Sequence, residues 1–224
     1  MQCPLCHSKQ LNTKEIIKSA FYLSCERCSL VFMHPDSHIA TEAEKRRYQE
    51  HNNDVEDLRY QKFVSPIVDA VKAYYDNKNK GLDFGAGTGP VITKMLEDQG
   101  YQMTLWDPFF HPDVAALDAQ YDFIVCCEVI EHFRKPDLEF KRLHELLKPG
   151  GRLFCKTDLL PETPFKDWYY VTDPTHIIFY SEEALRWIQA NFGFSEVQIE
   201  DRLITFRKRR LGEINALASL IDLV

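Results

Sequence analysis

The chain has 224 residues, of which 45% are hydrophobic and 27% charged, and its net charge is −7. That composition predicts a soluble globular chain, one domain of ordinary size plus a small extra module, and it argues against a broad basic face of the kind that grips nucleic-acid phosphates. No apolar run approaches the length of a membrane span, and the start of the chain lacks a basic stretch followed by an apolar one, so no signal peptide is expected and the cytoplasm is the expected compartment.

The seven cysteines are an odd number, which in a reducing compartment predicts metal binding and buried thiols rather than disulfides. Four come first. Cys3-x2-Cys6, eighteen residues, and Cys25-x2-Cys28 match a four-cysteine zinc spacing. Each pair turns two thiolates towards one tetrahedral ion, and four filled positions make a zinc site structural rather than catalytic. Residues 15–23 supply the hairpin of a zinc ribbon, and the metal supplies stability that so short a segment cannot draw from its own core. The module is of mixed charge, and is read as a lobe on the side of a substrate or partner. His7 is read as a surface residue.

From Thr41 to Tyr75 the pattern is helical, with Phe63, Val64, Ile67, Val68 and Val71 on one face and the polar run His51-Asn52-Asn53-Asp54 before it. A strand, Leu82-Asp83-Phe84, then ends at three alternate glycines, Gly85, Gly87 and Gly89. Glycine accepts positive φ and has no Cβ, so a ligand lies close to the backbone there. Pro90 suits the first turn of the helix that follows, Gly100 suits its stop, and Asp107 ends the next strand. In an open α/β sheet, ligands sit beyond the carboxyl ends of the strands.

The spacing G-x-G-x-G differs from the dinucleotide fingerprint. Asp83 beside the turn disfavours a phosphate and favours a cation. Asp107, eighteen residues after Gly89, is placed to accept both hydrogen bonds of a ribose diol. A ligand with a ribose, a positive charge and no phosphate describes S-adenosylmethionine. On these residues the chain resembles the class I S-adenosylmethionine-dependent methyltransferases, which implies a Rossmann-like α/β sheet with helices on both faces. The resemblance implies that Asp83, Gly85, Gly87, Gly89, Asp107 and Glu128 bind the cofactor, and that the helix pair 41–75, with Tyr48, His51, Asn52 and Tyr60, lies over that site.

After Asp107 the usual third strand is expected to be truncated, and Asp118 is a weak candidate for an adenine contact. Tyr121–Cys127 is a continuous apolar run of the buried-strand type, delivering Glu128-Val129-Ile130-Glu131-His132 to the same sheet edge. Asp137 is expected to cap a helix to Leu147, Lys148–Gly151 to turn, and Arg152–Thr157 to form a strand. The aromatic connection 158–180, long for a compact domain, is expected to be a lid or binding loop. A helix capped by Ser181 and a closing hairpin finish the sheet. The run from the Asn-rich segment through the glycine turn to Asp173-Pro174-Thr175-His176 is similar to bacterial class I methyltransferases with an N-terminal zinc ribbon, whose substrate is open. The expected division is a zinc ribbon at 1–38, a helical connector at 39–78, the S-adenosylmethionine-binding domain at 79–208 and an amphipathic tail at 209–224.

Methyl transfer is an in-line displacement, so holding the nucleophile is the main task. An oxygen or carbon nucleophile also loses a proton. His132 and His176 are the candidate bases, since histidine titrates nearest neutrality, and Glu128 and Glu131 join them as catalytic candidates. If residues 128–132 turn helically, Glu128, Glu131 and His132 share a face and, with His176, form a candidate Mg2+ or Mn2+ site. This set is similar to the metal sites of small-RNA 2′-O-methyltransferases and quinone-pathway O-methyltransferases, although many relatives use the second acid and the histidine only to hold the turn. The leading reading is a methyltransferase acting on a small biosynthetic molecule. The alternatives are an RNA methyltransferase, supported by the basic run Arg207–Arg210, and a non-catalytic protein that keeps the fold. The oligomeric state is open.

Overall fold

In the computed structural model, which describes residues 1–50 and 53–213, the elements follow in the order β1 (Leu11–Ile17), β2 (Ala20–Cys25), β3 (Val31–Met33), α1 (Thr41–Gln49), α2 (Leu58–Tyr74), β4 (Lys80–Phe84), α3 (Val91–Glu97), β5 (Gln102–Trp106), β6 (Tyr121–Cys127), α4 (Pro136–Leu146), β7 (Leu147–Lys156), β8 (Ile178–Phe179), α5 (Glu182–Asn191), β9 (Phe194–Glu200) and β10 (Leu203–Lys208). Six strands form one sheet in the order β5-β4-β6-β7-β10-β9. The β4–β5, β4–β6 and β6–β7 pairs are parallel, and β10 runs antiparallel to both β7 and β9.

The apolar run at 121–127 is the middle of this sheet because it is buried on both faces. Phe123 and Val125 join α2 and α3 in one apolar layer, while Ile124 and Cys126 join α4 and α5 in the other. This is the Rossmann-like arrangement expected. Its parallel strands point their carboxyl ends to one edge, and Asp83, Asp107 and Glu128 lie at that edge.

Three local expectations change. Pro90 is the cap before α3 rather than a residue of its first turn. Asp137 falls inside the first turn of α4, after Pro136, whose fixed φ starts the helix instead. Lys148–Gly151, expected as a turn, is part of β7. The third strand is replaced by a bridge between Asp107 and His111 and a 3-10 turn at Val114–Leu117, where Asp118 is the closing residue.

A second sheet has the order β1-β2-β3-β8. Lys18 and Ser19 both take positive φ (46° and 74°) in the two-residue turn between β1 and β2, as the twist of a tight hairpin requires. Its fourth strand comes from the connection expected to be a lid. That segment is packed rather than open: Trp168, Tyr170 and Tyr180 are buried, and only Tyr169 of its large aromatics is exposed. The stretch 51–52 and the tail beyond 213 lie outside the described residues, so His51, Asn52 and most of the expected tail are not placed.

Candidate active site

The three glycines serve different neighbours. A Cβ on Gly85 would stand 2.5 Å from a methyl of Val129, and one on Gly89 would stand 1.7 Å from the Asn53 carbonyl oxygen. These two positions are bare because protein packs against them. All three line the cavity, but Gly87, at φ +62°, would meet nothing nearer than Asn53 Nδ2 at 3.7 Å, so it is the glycine whose Cβ side is open. That cavity measures about 900 Å3 and reaches from Asp83, Gly87 and Asp107 to Tyr48, His132 and His176.

Asp83 is buried and accepts a hydrogen bond from Thr93 Oγ1 at 2.8 Å. Burial pushes its carboxyl up to about 6, against the pull of Thr93 and with the Asp107 charge adding to the rise. Asp107 Oδ1 accepts from the Phe109 and Phe110 amides, and Oδ2 from the Gly87 amide at 3.1 Å. A carboxylate has about four lone-pair sites, so this acid both ties β5 to the glycine turn and keeps acceptor capacity towards the cavity.

Across the cavity, Val129–His132 turns on the end of β6, with Glu128 at φ +53°. On that backbone Glu128 keeps Oε2 3.3 Å from Tyr170 Oη, the hydroxyl that also donates to Glu131. The Glu128 carboxylate pairs with Arg202 at 2.9 Å, and Arg202 also pairs with Asp158. Burial and the Glu131 charge push Glu128 up to about 8, against the pull of Arg202. Glu131 is fully buried. Its Oε1 accepts from Tyr170 Oη at 2.5 Å and its Oε2 from Thr157 Oγ1 at 3.0 Å.

Both imidazoles have a fixed tautomer. His132 Nδ1 lies 2.8 Å from the Thr175 carbonyl and His176 Nδ1 2.8 Å from the Tyr170 carbonyl. A carbonyl only accepts, so each Nδ1 carries the proton and Nε2 is the basic nitrogen of the neutral ring. Burial lowers His176, against the Glu131 charge. Tyr48 from α1 packs edge-on against His132, with ring centres 5.3 Å apart.

Glu131, His132 and His176 bring donor atoms within 4.8 Å of one another, without Glu128. The expected four-ligand, oxygen-rich set is therefore not formed: Glu128 is taken by Arg202, and two imidazoles with one carboxylate are not the donors Mg2+ prefers. Tyr170, Thr157, Asp158 and Arg202 carry much of this site and were not singled out in the sequence. Nothing in the run Trp168-Tyr169-Tyr170 marks which ring will face Glu131.

At the other end of the chain, the Cys3 and Cys28 sulfurs are 3.6 Å apart and those of Cys6 and Cys25 3.4 Å. All four lie within 4.8 Å of one another and are buried. A tetrahedral zinc with bonds of about 2.3 Å holds sulfurs about 3.8 Å apart, so these residues fit such an ion. His7 stands outside the cluster, its Nε2 3.1 Å from Asp137.

A family model described as a methyltransferase domain matches residues 25–199. The ubiquinone biosynthesis O-methyltransferase of Klebsiella pneumoniae is 31% identical over 77 residues, 34% of this chain and 32% of that protein. Phosphoethanolamine N-methyltransferase 3 of Arabidopsis thaliana is 28% identical over 103 residues, 44% of this chain and 20% of that one. The chain thus spans less than half the length of the curated relatives it matches. Among solved structures, an O-methyltransferase family protein from Burkholderia thailandensis superposes with a TM-score of 0.53 at 12% identity, covering 76% of this chain and 64% of the other. The 1,6-didemethyltoxoflavin-N1-methyltransferase of the same organism, with 1,6-didemethyltoxoflavin and S-adenosylhomocysteine bound, gives 0.52 at 17% identity, covering 82% and 97%. At such identities these two establish the fold.

Proposed function

Because this chain belongs to the methyltransferase-domain family, we propose that it is an S-adenosylmethionine-dependent methyltransferase that methylates an oxygen or carbon of a small molecule held between the glycine turn and the two histidines. The observation that carries this reading is one continuous cavity joining Asp83, Gly87 and Asp107 to His132 and His176. S-adenosylmethionine supplies an electrophilic methyl group on a sulfonium. Asp83 and Asp107 favour its positive charge and its diol, and Gly87 lets the ligand lie against the backbone. Asn53, resting on Gly89, and α1 close the site above.

An oxygen or carbon nucleophile needs its proton removed as the new bond forms. The basic Nε2 of His132 or His176 takes that role, with the Nδ1 proton anchored to backbone. Glu131 positions these rings and Tyr170, and Glu128 shapes the acceptor end through Arg202. A divalent ion at Glu131, His132 and His176 is the second reading. Nδ1–H held by a carbonyl with Nε2 turned inward is how metal-binding histidines are oriented, but both Glu131 oxygens already accept hydrogen bonds. Zinc at Cys3, Cys6, Cys25 and Cys28 is structural in this reading, and the ribbon 1–38, connector 39–78 and catalytic domain 79–208 remain the proposed division. The names of the first relatives, O-methyltransferases of ubiquinone biosynthesis, favour an oxygen acceptor.

Half of the basic run that supports the RNA alternative is engaged internally. Arg207 pairs with Glu196 and Glu213, and Lys208 donates to the His144 and Leu147 carbonyls.

Calorimetric titration of S-adenosylmethionine into the purified chain tests the proposal. One site is expected, and Gly87→Val, which fills the open side of the turn, should weaken it about tenfold or more. Absence of heat, with the variant indistinguishable from wild type, overturns it.

A further inference from the structure

The four-cysteine module and the acceptor end of the cleft are one packed unit. β2 ends on Cys25, and β3 begins just after Cys28. β3 then pairs with β8, Val31 opposite Phe179 and Phe32 opposite Ile178. Met33 N donates to the Ile177 carbonyl at 2.8 Å, and Ile177 N donates to the Glu131 carbonyl at 3.0 Å. Backbone hydrogen bonds therefore run from the thiol site to the turn that carries Glu131 and His132.

Side chains follow the same route. Tyr22 of β2 packs edge-on against Phe165 and Phe179, with ring centres 5.2 Å and 5.8 Å away. Trp168 packs on Phe179 and stacks on Tyr170 at 5.0 Å. Tyr170 lies 4.0 Å from the His176 ring. Tyr22, Phe165, Trp168, Tyr170 and Phe179 are all buried.

We propose that the four-thiol module braces the acceptor site from behind: metal held at Cys3, Cys6, Cys25 and Cys28 sets the positions of Tyr170 and His176 through β3 and β8. The physical reason is length. β8 is two residues long and its partner in the sheet is β3, itself three residues long. Strands that short hold no position unless their neighbours are fixed. The hairpin that fixes them is too small for a core of its own and gains its stability from the metal. Asp83, Gly87 and Asp107 ride instead on β4, β5 and α3, whose pairing lies within the larger sheet. The inference rests on the methyltransferase reading for what Tyr170 and His176 do, and not for whether the module holds them.

Hydrogen exchange on the full chain, loaded with Zn2+ and then stripped by a chelator, tests the coupling. Amides of 177–180 should exchange about tenfold faster or more after stripping, while those of β4 and β6 and the affinity for S-adenosylmethionine change by less than about threefold. Tyr22→Ala, which leaves all four thiols, should keep its Zn2+ and loosen 177–180 in the same direction. Unchanged exchange at 177–180 on stripping overturns the proposal. So does equal acceleration across β4 and β6, which would make the module a general support of the fold, or a Zn2+-loaded Tyr22→Ala with wild-type exchange. A chain that bound no S-adenosylmethionine in either state would sink the methyltransferase reading, and the exchange rates would still decide the coupling.

Discussion

Asp83 is the residue whose chemistry makes the sharpest demand. Its pKa rises from 3.8 to about 6 through burial, so the folded chain holds a proton more tightly than the unfolded one. Stability from this group is therefore greatest below pH 4 and falls as pH rises through 6. A cationic ligand reverses the preference, because it favours the carboxylate. Binding then releases a proton at low pH, and affinity for S-adenosylmethionine should climb between pH 5 and 7, by at most about tenfold per unit for one proton, and level off above. Asp83→Asn should flatten that profile, and a wild-type profile already flat would show that no cation sits beside the acid. At Tyr170 the demand is on stability. Tyr170→Phe strips a donor from an acid with no exposure, which costs about 1–3 kcal/mol. A denaturant midpoint unchanged from wild type would mean that another donor takes the place of the hydroxyl.

At the scale of elements, α1 is held down by two ion pairs. Arg47 Nε and Nη2 both meet Asp173 Oδ2, at 3.2 Å and 2.9 Å, and Arg134 Nη2 meets Glu44 Oε2 at 2.8 Å. Burial raises Asp173, but hydrogen bonds from Thr175, the His176 charge and Arg47 outweigh it and hold the carboxyl at about 2. The contact is thus present at and above neutral pH and is lost only as pH falls from about 4 towards 2. These pairs bind α1 to the two turns that carry His132 and His176, across the mouth of the cavity. Arg47→Ala should release S-adenosylmethionine several-fold faster in stopped flow while leaving the association rate close to wild type, as is usual for changes at one interface. Equal dissociation rates would show that α1 does not close on the ligand. The period of the sequence revealed α2, because one apolar face writes a repeat, and the unbroken apolar run at 121–127 revealed β6. The pairing of β8 with β3 left no such mark: two residues carry no periodicity, and their partner lies far away along the chain.

On the scale of the whole molecule, charge and metal decide. A net charge of −7, with Arg207 and Lys208 engaged internally, predicts weak RNA binding that disappears between about 50 and 200 mM salt. Retention of RNA on a filter at the higher salt would revive the nucleic-acid reading. From the sequence alone came the Rossmann-like sheet, the glycine turn between two acids and the four-thiol spacing, because each is written by neighbours in the chain: buried strands as apolar runs, tight turns as glycine, a metal clasp as paired cysteines. Only the tertiary structure decided that Gly85 and Gly89 serve Val129 and Asn53, that Glu128 turns to Arg202, and that Tyr170 and Thr157 hold Glu131. Those choices depend on which side chain of a distant segment arrives at a given point, and a burial pattern along one strand carries no information about its partner.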